Sequence, residues 1–105
     1  MVMVRGFARQ AELAMAIEEI KPLLGPDVVR LTYKLEEDWS GDPSIFFRVV
    51  LSDRASTKIE LRTTAARIQD IVVDNLRPVE EWELLYYFDF RSRAEQSARA
   101  SDDWA

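Results

Sequence analysis

The chain contains no cysteine and no histidine. The first absence excludes disulfides, thiolate nucleophiles and zinc–thiolate sites. The second removes the commonest general base, the usual transition-metal ligand and every catalytic dyad or triad built on imidazole. The glycines are few and scattered, at Gly6, Gly25 and Gly41, so no glycine-rich phosphate loop is present. No apolar run approaches the ~18 residues of a membrane-spanning helix, and Met1 to Phe7 is too short for a signal peptide, so the cytoplasm is the expected location. Positive charge is also in deficit. With 14 Lys and Arg against 19 Asp and Glu, the net charge of -5 argues against nucleic-acid or anionic-membrane partners, whose binding depends on basic residues releasing counterions.

What is present is the composition of a folded domain: 105 residues, 48% hydrophobic and 31% charged. A single α+β domain over 1–105 is expected, large enough to bury roughly two thirds of its unfolded surface, with 99–105 frayed by their Ala, Ser and Asp content.

The strongest local signal is Ile45 to Leu51, aromatic and β-branched, bounded by turn residues and apolar on both faces. It reads as the central strand of a small mixed sheet. Before it, Leu13, Ile17, Ile20 and Leu24 hold the spacing of one helix face within a helix from Phe7 to about Leu24. Pro22 either ends that helix near Ile20 or kinks it on the way to Gly25. Val29, Leu31, Tyr33 and Leu35 alternate with Arg30, Thr32 and Lys34 as a strand with one buried face. After the central strand, Thr57-Lys58-Ile59-Glu60 fits a capping box, and Leu61, Ala65, Ile68, Val72 and Leu76 carry a long helix to Arg77-Pro78. Trp82, Leu84, Tyr86, Phe88 and Phe90 then alternate as a third strand, and Ser92-Arg93-Ala94-Glu95 repeats the capping-box pattern ahead of a short helical tail.

Helix, strand, strand, helix, strand implies an antiparallel pair and then a right-handed crossover that sets strand three parallel to strand two. The expected architecture is a two-layer sandwich, a three-stranded mixed sheet with two helices on one face. This element order resembles a ferredoxin-like fold lacking its first strand, the arrangement of cation-diffusion-facilitator cytoplasmic domains, and implies none of their metal residues. The uncovered face would present Phe46, Val50, Leu85 and Tyr87, an apolar patch that predicts self-association into a homodimer through that face or an open strand edge.

Two acidic clusters stand out, each without a base inside it: Glu36, Glu37, Asp38 and Asp42 in one loop, and Glu80, Glu81 and Glu83 in another. The first could hold a hard cation on oxygen ligands, although it lacks the ligand alternation of an EF-hand. A solvated acidic turn explains it with less, and a docking surface for a basic partner is the third reading. Trp39 inside it either folds back over the sheet or anchors a partner, and Trp104 offers a second such aromatic. Asp53, Glu60, Arg48 and Arg91 could form an acid, base or anion clamp at strand ends, but capping and surface ion pairs explain them with less.

The Trp39-Ser40-Gly41-Asp42-Pro43 turn with its acidic flank, the Ile45-Phe46-Phe47-Arg48-Val49 strand and Tyr87-Phe88-Asp89-Phe90-Arg91-Ser92 are similar to a family of small uncharacterised bacterial proteins. The similarity covers roughly residues 30–105. It implies a neighbour among small helical proteins of the HEPN kind, hence a two-gene system of the toxin–antitoxin type. It carries no functional residues with it.

The expected function is therefore a non-catalytic interaction subunit. It would be homodimeric, take a basic or helical protein partner, need no cofactor or metal, and bind through Trp39, Asp38, Asp42, Phe46, Val50, Leu85 and Tyr87. The alternative is a divalent-metal-binding domain or hydrolase using the carboxylates of the 36–42 loop.

Overall fold

The computed structural model describes residues 3–98. Expectations for Trp104 and for a frayed 99–105 fall outside them. Helices α1 (Arg5–Ala8) and α2 (Gln10–Ile20) precede strands β1 (Val28–Glu37) and β2 (Pro43–Leu51). Helices α3 (Leu61–Leu76) and α4 (Pro78–Trp82), strand β3 (Leu85–Ser92) and helix α5 (Arg93–Ala98) follow. The three strands form one mixed sheet in the order β1-β2-β3, antiparallel between β1 and β2 and parallel between β2 and β3. The fold is thus the expected α+β arrangement with β2 at its centre.

Alternation decides the layers. Ile45, Phe47, Val49 and Leu51 are completely buried, and they join Leu31, Leu13 and Ile17 from α2, and Ile68, Val72 and Leu76 from α3 in one core. Rings extend this core across the sheet, with Phe47 stacked on Phe88 at a centroid distance of 4.8 Å. On α3 the inward row is Thr64, Ile68, Val72 and Leu76, one residue off the expected start at Leu61 and Ala65; Leu61 itself is exposed.

Where proline was expected to kink or stop the first helix, the α-helix ends at Ile20. A 3-10 turn carries Lys21–Leu23, and Gly25 at φ 83 then reverses the chain. Only half of the expected capping box forms before α3. The Thr57 hydroxyl accepts from the Glu60 amide at 3.3 Å, and the helix itself begins at Leu61. At α5 the box is complete: Ser92 N donates to Glu95 Oε1 at 3.3 Å and Glu95 N to Ser92 Oγ at 3.0 Å. Asp53 accepts from the Ala94 amide at 3.1 Å, so it caps this helix and joins no clamp.

The largest departure from the sequence reading is at the start of strand three. Trp82 and Glu83 do not belong to it. Arg77 takes a left-handed conformation (φ 52), Pro78 opens α4, and Glu83 is again left-handed (φ 58). The two reversals deliver Leu84, fully buried, beneath Gly6 of α1 before β3 begins. The second acidic cluster is not without a base either. Arg5 donates to the Glu81 carbonyl at 2.7 Å and the Glu80 carbonyl at 2.9 Å, the Arg5 amide reaches Glu83 Oε1 at 3.0 Å, and Arg77 pairs with Glu80 at 3.4 Å. An arginine near α4's last carbonyls also suits the negative end of a helix.

Candidate interaction face

On the side of the sheet away from α2 and α3, the register places Ser44 beside Leu85, Phe46 beside Tyr87, Arg48 beside Asp89 and Val50 beside Arg91. Of the expected apolar patch, Phe46 and Tyr87 are half-buried and Leu85 is 39% exposed. Val50 is a correction: it is buried, at the end of the sheet where α5 turns back against β2 and β3. There Arg91 donates to Gln96 of α5 at 3.2 Å.

The β1–β2 turn is built on Asp38. Its backbone carbonyl accepts from the Gly41 amide and its amide donates to the Asp42 carbonyl, while Gly41 supplies the left-handed φ of 86 that the reversal requires. Its carboxylate is saturated from within. Oδ1 accepts from the Ser40 hydroxyl at 2.7 Å, the Ser40 amide at 2.9 Å and the Asp42 amide at 3.0 Å, and Oδ2 accepts from the Tyr87 hydroxyl at 2.7 Å. Asp38 is accordingly turned inward, contrary to its expected place as a docking carboxylate, and it ties the turn to β3. Asp42 stays exposed, with its carboxylate 3.1 Å from Ser40 Oγ.

These hydrogen bonds set the charge of the site. The Ser40 hydroxyl first, then the Tyr87 hydroxyl, hold the Asp38 carboxyl at about 2 instead of its ordinary 3.8; burial opposes them, and the Asp42 and Ser40 amides add to the lowering. Tyr87 is pushed above its ordinary 10.0, chiefly by the bond to Asp38, then by burial and by the charges of Asp38 and Asp42.

A depressed carboxyl stabilises the fold fully above its unfolded value, and the benefit is lost as pH falls through the folded one. The difference in melting temperature between the wild type and Asp38→Asn is therefore expected to be constant above about pH 4 and to shrink towards pH 2. A difference that does not change over this range would show that Asp38 does not titrate as the geometry requires. For Tyr87 the sign reverses: stability holds below pH 10 and falls as pH rises through the raised value.

Anchored by this bond, Tyr87 carries a stack. Phe46 lies against it at 5.1 Å and 20°, and Trp39 tilts onto it at 5.1 Å and 53°. Trp39 does fold back over the sheet, yet it remains 82% exposed. Beside the stack is an open concavity of about 260 Å³ lined by Glu36, Trp39, Phe46, Arg48, Tyr87 and Asp89 among others. Glu36 pairs with Lys34, two residues before it on β1, at 3.4 Å.

Chemically the site is an apolar, tilted platform with charges at its rim. A carboxyl held at about 2 is a poor base near neutrality. Among the described residues no three acidic side chains converge to hold a metal ion. Nor, among them, is any helix long and apolar enough to cross a membrane. Compared with known protein families, with curated proteins and with solved structures, the chain matches none.

Proposed function

We propose that the chain is a non-catalytic protein-interaction subunit, homodimeric and cytoplasmic. Its Trp39–Tyr87–Phe46 platform engages a basic or helical protein partner. The observation that carries this reading is an indole 82% exposed and yet packed at a tilt against a tyrosine that is itself hydrogen-bonded to the turn bearing the indole. Rigid exposed aromatics pay little entropy on binding and are the commonest interface anchors. Asp42, Glu36 and a net charge of -5 favour a basic partner over an acidic one. From the turn and strand motifs at residues 36–51 and 87–92 we further propose that it is the antitoxin-like member of a two-gene system.

Tagged chain purified from its native cell is expected to bring down a stoichiometric partner. Trp39→Ala should weaken that binding by ~30-fold or more, the effect of losing a hot spot, while Trp39→Phe retains most of it. Retention of the partner at full affinity by Trp39→Ala would remove the platform from the interface.

A further inference from the structure

Among the described residues the two edge strands of the sheet, β1 and β3, differ. β1 carries Arg30, Lys34, Glu36 and Glu37 and a register irregularity between Val28 and Arg30, devices that discourage strand addition. β3 has fewer of them: no lysine, proline or register irregularity, and only Asp89 and Arg91 as charges. Tyr86, Phe88 and Phe90 share the parity of the core, yet each is only half-buried. They form a ladder with Phe88 centred 6.1 Å from both Tyr86 and Phe90.

We infer that the occupant of this edge is a second copy of the chain, β3 pairing antiparallel with β3 about a twofold axis at Phe88, so that two sheets become one of six strands. This rests on the homodimer of the proposed function and gives it a geometry. The register follows from sequence parity and charge. A twofold normal to the sheet keeps like faces together, so only whole-residue centres are allowed. Centring on Asp89 opposes two like charges, which is destabilising. Centring on Phe90 places Tyr86 opposite Ala94, already in α5, and shortens the ladder. Centring on Tyr87 pairs only Leu85 to Asp89 within β3. Phe88 at the centre pairs Leu85 with Arg91, Tyr86 with Phe90 and Tyr87 with Asp89, using nearly the whole strand with no like charges opposed. The half-exposed rings then meet their equivalents on the helix side, and both Trp39 platforms stay uncovered on the opposite side.

The cysteine-free chain makes the test clean. Residues directly opposite in an antiparallel pair lie within disulfide reach, whereas Leu85 and its own symmetry mate would be ~20 Å apart along the strand. The double variant Leu85→Cys/Arg91→Cys should form covalent dimers on mild oxidation. Leu85→Cys and Arg91→Cys alone should not, with circular dichroism verifying that each variant is folded. Light scattering of the wild type at high micromolar concentration should give twice the chain mass. A monomeric mass would overturn the dimer itself. A dimeric mass with no double-variant cross-link, or with cross-linking by Leu85→Cys alone, would leave a dimer but overturn the β3 edge as its seam.

Discussion

Phe47→Ala is expected to cost about 3–5 kcal/mol of folding stability, a large share of the 5–15 kcal/mol typical of small domains. Phe47 is completely buried at the centre of β2 and stacks on Phe88, so truncation loses both transfer energy and ring contact and opens a cavity between the sheet and the helices. Its neighbour Phe46 points to the other face and is only half-buried. Phe46→Ala should therefore cost markedly less. Urea unfolding of the two variants under one set of conditions decides the matter. Equal losses would mean that the alternation along β2 does not define the core.

The second large effect comes from a contact with no local sequence signal. A Cβ placed on Gly6 would meet Leu84 Cδ1 in outright overlap and Cγ at 2.6 Å. Leu84 cannot easily withdraw. It is fully buried, and its amide is fixed to the Pro78 carbonyl at 3.0 Å. Gly6→Ala should destabilise by about 1–3 kcal/mol through overpacking, despite alanine's better helix propensity. Because Leu84→Ala removes the obstructing atoms, the double variant should be more stable than the sum of the two single losses predicts. Strict additivity in a double-mutant cycle would refute the clash.

Periodicity made most of this architecture readable. The two-sided apolarity of Ile45 to Leu51 announced a central strand, and the spacing of Leu13, Ile17 and Ile20 announced a helix face. It failed where the backbone leaves regular geometry without changing the apolar rhythm. Trp82, Leu84 and Tyr86 alternate as one strand would, yet Glu83 is left-handed between them, and Arg77-Pro78, read as a stop, is also the start of α4.

The candidate face was half legible. Asp38, Ser40 and Asp42 have the spacing of a turn in which a side chain caps its own backbone, a signal that could have marked Asp38 as structural. Its bond to Tyr87 spans 49 residues and had no such signal. The same is true of Arg5, which donates to the Glu80 and Glu81 carbonyls and pairs with the Glu83 carboxylate, all more than seventy residues away.

The mixed pairing of the sheet also sets an order of assembly. β1 and β2 are joined through residues 38–42 and can find each other at small entropic cost. β2 meets β3 only after the chain has passed through residues 52–84. A parallel pair closed over so long a path is the slow contact of the fold. The hairpin should thus precede β3 in time, and the Asp38–Tyr87 bond closes only as the last strand arrives. Until then Trp39 has no tyrosine to rest on, so the platform comes into being with the final step of folding.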